Sequence, residues 1–266
     1  VPQAGSVYDG RSGMTAVATP RIDTLAVVDG ELDESAWGHA AVLTGFSEFS
    51  PTDGVAAEDS TEVLVWYSSS TIYFGVRAFE SHGAAHATLA ERDRIFADDY
   101  VQVLLGTFND GRQAMMFGVN PLGVQADGMM DENGRAGGNL QGREPANLNQ
   151  DFVYQSKGHV TPWGYQVEIA IPFKSLKYQS AADQVWGLQL LRTVQHSGFE
   201  DTWTPARRAS ASFLGQSGEL KGLTGLNRGL TLDVTPEVTS REVGATTTAG
   251  GWSYVRGGPD VGGTVR

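Results

Sequence analysis

Acidic side chains are the first candidates for chemistry, because several lie close together where strands are predicted to begin or end. Calcium prefers several hard carboxylate oxygens supplied by flexible loops. Solvated strand ends, or ion pairs with neighbouring arginines, are the alternative, and no Asp-x-Asp-x-Asp-Gly loop decides between the two. The candidate calcium ligands are Asp98, Asp99, Asp127, Asp131 and Glu132.

Arginine and histidine side chains near these carboxylates suggest two further kinds of site. Arg92, Arg94 and Arg112 carry guanidinium groups that could bind sugar hydroxyls or a partner's carboxylates. Ion pairs with neighbouring aspartates are the simpler interpretation. His82 and His86 are four residues apart, which would place both on one helix face as metal ligands. No carboxylate stands at a matching spacing, so an exposed loop is the simpler interpretation there.

Motifs for catalysis are missing from the sequence. A glycosidase needs two carboxylates across a cleft, roughly 5–10 Å apart, and no pattern pairs two of them. The segment 215–219 (GQSGE) lacks the final glycine of a serine nucleophile elbow. There is no His-Glu-x-x-His and no glycine-rich phosphate loop, so we expect no organic cofactor. Glu168 is interpreted as a structural hydrogen-bonding residue or a ligand. We predict that the chain is not an enzyme.

The composition excludes further classes. The 266 residues include 19 Lys and Arg against 31 Asp and Glu, a net charge of −12, which disfavours binding to nucleic acid. Without cysteine there are no disulfides, zinc-thiolate sites or thiol nucleophiles. No run approaches the roughly 20 apolar residues of a transmembrane helix. The 34 glycines favour many short strands joined by tight turns.

Alternating apolar residues predict an all-β chain, an antiparallel β-sandwich with short helical turns and an extended C-terminal tail. Two hairpins are clear, at residues 61–78 and 101–119, and the second turns through an Asp-Gly pair. Further strands are predicted at 124–130, 165–171 and 186–191, and short helical segments at 84–92 and 173–178.

Composition divides the chain into three parts. Residues 1–20 are aperiodic and are predicted to form a flexible arm, and we expect their start to be left by a removed signal segment. Residues 21–228 carry the sandwich, with a long polar loop at 131–150. Residues 229–266 are predicted to be edge strands or a linker.

Four segments resemble carbohydrate-binding module family 9. They are VDGELDESAW at 28–37, RDR at 92–94 with DDYVQV at 98–103, GYQVEIAIPF at 164–173, and NPLGVQAD at 120–127. The fourth is similar to a narrower subgroup, in which the module precedes an outer-membrane β-barrel region of unknown function in bacterial proteins. Residues 230–238 and 257–266 resemble the first strands of such a region.

This resemblance implies a sandwich that binds sugar, often with structural calcium. Sugar-binding members clamp the ligand between two tryptophans, and Phe96 stands at one clamp position. Aromatic faces pack on sugar rings while charged and amide groups bind the hydroxyls. The candidate ligand-binding residues are Phe96, Arg92, Arg94, Asn120, Gln125, Trp163 and Trp203.

The six tryptophans fall into two groups. Trp37, Trp66 and Trp186 alternate with apolar residues and are predicted to be core. The other three are predicted to lie in loops or at the surface, where they could form an apolar patch with two phenylalanines. That patch would contain Trp163, Trp203, Trp252, Phe46 and Phe49.

Three functional hypotheses follow. The first is non-catalytic binding of a glycan by an extracytoplasmic domain, in the bacterial periplasm and associated with a membrane. The second is a structural or docking subunit of a larger membrane-associated complex, which uses the sandwich as a protein–protein scaffold. The third and weakest is a part of a glycoside hydrolase.

Overall fold

The computed structural model describes residues 5–83, 85–132, 146–227 and 234–265, which belong to two units, Val1–Arg228 and Gly229–Arg266. Strands dominate both units, and helix in the described residues is limited to short 3₁₀ turns. These turns are Trp37–His39, Phe173–Ser175 and Leu214–Gln216. The predicted all-β class is confirmed.

The strands are numbered in chain order. They are β1 (Val7–Asp9), β2 (Ala16–Ala18), β3 (Ala41–Thr44), β4 (Ser47–Ser50), β5 (Thr61–Tyr67), β6 (Thr71–Phe79), β7 (Tyr100–Gly106), β8 (Gln113–Val119), β9 (Gln125–Asp131), β10 (Gln155–Thr161), β11 (Gly164–Pro172), β12 (Asp183–Val194), β13 (Phe199–Thr202), β14 (Gly218–Thr224), β15 (Val234–Thr239), β16 (Glu242–Thr246), β17 (Trp252–Arg256) and β18 (Asp260–Val265).

The first unit is a sandwich of two sheets. One has six strands in the order β1-β3-β5-β6-β11-β10. The other has the order β2-β14-β12-β7-β8-β9, with β13 pairing β12 and β4 at one side. The pairs are antiparallel except that β1 joins β3, and β2 joins β14, in parallel. The two predicted hairpins are β5–β6 and β7–β8, and the turn of the second places Asn109 and Gly111 in left-handed conformations.

The main core lies between the two sheets because each strand points alternate side chains inward. Val63, Val65 and Phe74 of the first sheet share this core with Leu105 and Phe117 of the second. The outer faces are covered as well. Trp66 on the outside of the six-stranded sheet stacks on Tyr73, with ring centroids 4.0 Å apart, and Trp37 packs edge-on at 5.8 Å. This sheet is therefore buried on both sides, by the second sheet on its inner face and by the segment around Trp37 on its outer face.

The segment predicted to be a flexible arm is instead part of both sheets. Its β1 lies at the edge of the six-stranded sheet and its β2 at the edge of the eight-stranded one. The apolar Val17 is fully buried, and the backbone N–H of Gly10 bonds to the carbonyl of Thr44. The prediction was wrong because two three-residue strands are too short to produce a visible alternation.

The helical predictions fared differently. Residues 85–92 contain no helix, and Ala84 lies outside the described residues. Residues 173–178 form only the 3₁₀ turn Phe173–Ser175. Within the predicted loop 131–150, residues 133–145 lie outside the described residues.

The second unit consists of two antiparallel strand pairs, β15 with β18 and β16 with β17. The predicted strand at 230–238 is described only from Val234 onwards. Six large apolar side chains in the described part of this unit are exposed: Val238, Val243, Trp252, Tyr254, Val255 and Val261.

Candidate functional site

The sandwich has two loop ends. At the upper end lie the loops that follow β6, β10 and β12 and precede β5, β7 and β9. At the lower end lie the β7–β8 turn and the segments that precede β10 and follow β11. Most of the residues predicted to bind ligand or metal belong to the upper end.

Arg92 and Gln125, both predicted to bind ligand, are bonded to the protein itself. The Arg92 guanidinium donates to the carboxylate of Asp127, to the Gln125 side-chain oxygen (2.9 Å) and to the carbonyl of Phe152 (2.8 Å). It also lies over the ring of Tyr154, 5.7 Å from the centroid. Burial raises the pKa of Asp127, although Arg92 opposes the rise. The alternative interpretation expected an ion pair with a neighbouring aspartate; Arg92 does form an ion pair, but its partner lies 35 residues away.

Asn120 also has a structural role instead of the predicted ligand contact. It is fully buried, and its amide donates to the carbonyl of Thr88 (2.9 Å) and to Asp98 (2.8 Å). Its oxygen accepts the N–H groups of Leu122 and Val124. The side chain is therefore fully engaged in holding the loop before β9. Arg94 is exposed.

The five predicted calcium ligands do not form one cluster. Asp99 accepts the N–H groups of His86 and Gln195 at the upper end. Asp131 accepts from Gln113 (2.9 Å), and Glu132 accepts the N–H groups that open the turn Leu214–Gln216. Among the described residues, no three of the five place ligand atoms within 4.8 Å of one another. Calcium binding stays a prediction, without a common site for these residues.

Two predicted aromatic residues are accessible at the upper end. Phe96 is 41% exposed and packs against Tyr100 with ring centroids 5.5 Å apart. Trp163 is 36% exposed and lies beside Phe79 at 5.0 Å. The turn is fixed by Gly164, where φ is 140° and a Cβ would lie 2.1 Å from a backbone oxygen of β6.

Trp203 was predicted at the surface and is fully buried in the main core. The polar residues before Trp203 belong to β13 and not to an exposed loop, and the backbone N–H of Trp203 continues this pairing with a hydrogen bond to the carbonyl of Leu190. Phe46 and Phe49 are buried too, so the predicted apolar patch does not exist as proposed. Trp252 is exposed but belongs to the second unit.

A groove at the lower end brings together residues that the sequence did not connect. Its volume is about 300 Å³, and its floor is apolar, with Leu105, Met115 and Phe152. Phe108 stands at the rim with 51% of its surface exposed. We call this site the Phe108 groove. It is of the size typical of small-ligand sites, which begin at roughly 300 Å³.

The polar rim of the Phe108 groove carries amides and both charges. It comprises Gln113, Asp131, Asn147, Gln150 and Lys177. The Gln113 amide donates to Asp131, which fixes the carboxylate, and backbone bonds to Met129 hold Asn147 in place. An apolar floor with an exposed ring and a rim of hydrogen-bonding groups suits a flat polar molecule with one apolar face.

Sequence reasoning missed this groove because its walls come from five separate segments, at residues 105–108, 113–115, 129–131, 147–152 and 177. Of its lining residues, only Asp131 was a candidate, and as a metal ligand. The available signal was an aromatic residue, Phe108, directly before an Asn-Asp-Gly turn, where a buried role is unusual.

Two other cavities are less suited to such a ligand. One, of about 290 Å³, lies at the upper end, where the rim carboxylate Glu62 is paired with Arg77 at 2.6 Å. The other, of about 420 Å³, has no aromatic residue in its lining.

Two buried carboxyl groups have strongly raised pKa values. Burial raises the pKa of Glu168 to about 7, although the N–H groups of Asp29 and Gly30 bond to it at 2.9 and 3.1 Å. Burial likewise raises the pKa of Asp201 to about 7, with Glu48 adding to the effect. The structural interpretation of Glu168 is correct, because it ties the segment that follows residue 28 to β11.

The two histidines that were considered as a helical metal pair, and more simply as part of an exposed loop, are separated. His86 lies beside Asp98, with Nδ1 3.4 Å from a carboxylate oxygen. His82 instead faces His196, with ring centroids 5.0 Å apart. The described residues between them, at 83 and 85, are not helical, and both histidines are exposed, as the loop interpretation expects.

The fold is shared with carbohydrate-binding modules. Two structures of a family 9 carbohydrate-binding module from Caldicellulosiruptor kristjanssonii, in complex with cellotriose and with glucose, match at TM-scores of 0.50 and 0.51 with 13% and 14% identity. They cover 77% and 79% of this chain and 92% and 98% of theirs. A Bacteroides uniformis protein of proposed carbohydrate-binding function matches at 0.54, with 13% identity, covering 78% of this chain and 98% of its own.

No protein-family model matches the sequence, and no characterised protein matches it in sequence. The structural matches nevertheless confirm the predicted family 9 fold at the level of architecture. Within the described part of the chain, no helix has the length and apolar character needed to cross a membrane.

Proposed function

We propose that this chain is a non-catalytic glycan-binding domain and that the Phe108 groove takes one or two sugar rings. The observation that carries the proposal is the combination, in one groove, of an exposed aromatic ring with three amide side chains and a carboxylate. Sugar rings present apolar C–H faces and hydroxyl edges, which need those two kinds of surface. Support from the fold comes from structural neighbours whose complexes contain cellotriose and glucose.

The chemistry of the groove assigns a role to each wall. Phe108 would pack on the C–H face of a ring at the rim. Gln113 and Asn147 would bind hydroxyls, and Asp131 would accept from a hydroxyl while held by Gln113. Because Lys177 and Gln150 close the rim, a neutral sugar or one with a single acidic group fits the site.

Isothermal titration calorimetry with glucose, cellotriose and a panel of other saccharides tests this assignment, with calcium and with a chelator. Phe108→Ala removes an exposed ring, so the fold should persist while affinity falls by about tenfold, the equivalent of about 1.4 kcal/mol. Phe96→Ala and Trp163→Ala are matched controls, since both truncate half-exposed aromatic residues at the upper end. We expect both controls to bind as the wild type does.

The outcomes separate the site from the function. Heats that stay flat for every saccharide reject glycan binding. Binding that falls with Phe96→Ala or Trp163→Ala, and not with Phe108→Ala, keeps the function and rejects the groove. Cleavage of cellotriose during the titration, seen by chromatography, rejects a non-catalytic role.

A docking role is a second candidate, favoured by the second unit. Its strand pairs expose six large apolar side chains, and a two-stranded ribbon is marginally stable alone. We propose that this ribbon contacts a membrane-associated partner in the bacterial periplasm, in line with the family subgroup that the sequence resembles. Replacing Trp252, Tyr254 and Val255 with serine should release the chain from the membrane fraction. Unchanged fractionation of this variant, or recovery of the wild type in the cytoplasm, contradicts the proposal.

A further inference from the structure

Four potential metal ligands meet at the upper end of the sandwich, and one of them, Asp59, also lines the cavity of about 290 Å³ described above. Asp59 lies two residues before β5, Glu80 and His82 lie in the segment that follows β6, and His196 lies in the turn between β12 and β13. One ligand atom of each lies within 4.8 Å of those of the other three. The residues thus come from three connections and from both sheets.

Two side chains of the cluster, Asp59 and Glu80, are buried, and that of Glu80 is 2% exposed. One carboxylate oxygen lies 3.3 Å from the Arg192 guanidinium. The other, Oε1, accepts no hydrogen bond from the described residues and lies 3.3 Å from Nδ1 of His196. A buried carboxylate oxygen without a hydrogen bond is costly. Its position, directed at an imidazole nitrogen, is that of a ligand atom.

The buried Asp59 supplies the second carboxylate. One of its oxygens accepts the N–H (3.0 Å) and the hydroxyl (2.5 Å) of Ser81. The same hydroxyl lies 2.9 Å from Nδ1 of His82, so the serine orients both groups. Such a hydrogen-bonded second layer is typical of metal sites, where it fixes ligand orientation.

The two histidines complete the cluster on its solvent side. Both are partly exposed, and their ring centroids are 5.0 Å apart at an interplanar angle of 40°. Nε2 of His82 lies 3.5 Å from Glu58. With Asp59, Glu80 and Glu58 ionised and Arg192 positive, the cluster carries a formal charge of −2 when both imidazoles are neutral, which a divalent cation would neutralise.

We propose that Asp59, Glu80, His82 and His196 bind one divalent transition-metal ion of the zinc type. Two imidazole nitrogens with two carboxylate oxygens make a tetrahedral ligand set that zinc accepts. Calcium, which prefers six to eight oxygen ligands, does not match it. At bond lengths of roughly 2.0–2.2 Å, tetrahedral ligand atoms lie about 3.4 Å apart. The Glu80–His196 distance of 3.3 Å already meets this, and the exposed rings need only small rotations.

The ion would act as a structural clip. It would join the ends of β5 and β6, in the six-stranded sheet, to the end of β12 in the other sheet. Binding to the folded state alone raises stability by mass action. The Phe108 groove lies at the opposite end, so this proposal does not depend on glycan binding.

Titration of the full chain with Zn²⁺ after chelator treatment tests the proposal, by calorimetry and by thermal unfolding. We expect one equivalent bound, and a rise in Tm of roughly 5–10 °C at a hundredfold excess over Kd. His82→Gln and His196→Gln should each weaken binding at least tenfold, with unchanged circular dichroism. His159→Gln is the matched control, because that exposed histidine also faces a carboxylate, Glu31, at 3.1 Å. It should bind Zn²⁺ as the wild type does.

Three results would overturn the inference. One is no Zn²⁺ heat from the wild type at 100 µM protein, a concentration at which roughly micromolar binding is readily measured. Another is an unchanged Kd in the double variant of His82 and His196. The third is an equal rise in Tm with Ca²⁺ that both histidine variants retain.

Discussion

Glu168 should make the stability of the sandwich depend on pH in the neutral range. Its carboxyl group is buried in the six-stranded sheet, and burial raises its pKa from 4.5 to about 7. The folded chain therefore holds this proton more tightly than the unfolded chain does. The stability that results is fully present below about pH 4.5 and is lost as the pH rises through about 7.

The size of the effect follows from the pKa difference. At 1.36 kcal/mol per pH unit, the rise corresponds to about 3 kcal/mol of unfolding free energy. For a domain of this size, that is a fall in Tm of roughly 6–12 °C. Glu168→Gln keeps an oxygen that can accept the N–H groups of Asp29 and Gly30, and carries no charge. The variant should therefore be more stable than the wild type at pH 8 and similar to it at pH 5.

Urea unfolding at pH values from 5 to 8 measures this difference. Burial also raises the pKa of Asp201 to about 7, so this residue adds a pH dependence of similar size to the unfolding free energy. The Glu168→Gln variant keeps the contribution of Asp201, and we therefore expect its unfolding free energy to change with pH about half as much as that of the wild type. Glu91→Gln, at an exposed position, is the control and should follow the wild type. A Glu168→Gln protein whose stability falls between pH 5 and 8 as steeply as the wild type would refute the reasoning.

Three further substitutions test the packing. Trp203→Ala should lower the unfolding free energy by about 3–5 kcal/mol in urea titrations, since the ring is fully buried; a loss below about 1 kcal/mol would contradict its core position. Gly10→Ala should lower the unfolding free energy by about 1–3 kcal/mol in the same assay, because a Cβ at this position would lie 1.9 Å from the Trp203 carbonyl oxygen. Gly38→Ala is the control and should leave the unfolding free energy unchanged, since no atom lies close to the added methyl group. Asp127→Asn should cost about 2 kcal/mol and flatten the salt dependence of stability, since it leaves the Arg92 guanidinium without its anion; stability equal to wild type would show the pair to be dispensable.

Much of the fold could be predicted because its signals are local. Period-two alternation identified the hairpins β5–β6 and β7–β8 and the strands β9, β11 and β12. It also identified Trp37, Trp66 and Trp186 as core. The strands β1 and β2 were not predicted, since three residues are too few to show a period-two alternation and their pairing partners lie far along the chain.

The candidate sites were harder to predict because side chains that are distant in sequence decide them. The sequence suggested an ion pair between Arg92 and a neighbouring aspartate, but the actual partner, Asp127, lies on β9 and approaches Arg92 only in the folded chain. Asn120 and Trp203 have the residue types of a binding surface and were assigned to one. In the folded chain both side chains are fully buried, and the Asn120 amide donates a hydrogen bond to Asp98, so neither is available to a ligand.

The sequence by itself determined the all-β class, the order of the main strands and the acidic, cysteine-free character of the chain, because each depends on composition or on spacing along a few residues. The tertiary structure alone decided which polar groups are available. Closing two sheets over one core buried Trp203 and paired Arg92. It also exposed Phe108 beside amides from other strands and brought His82 to His196 across more than a hundred residues. Accessibility and juxtaposition are properties of the packed sheets, and no local pattern in the chain encodes them.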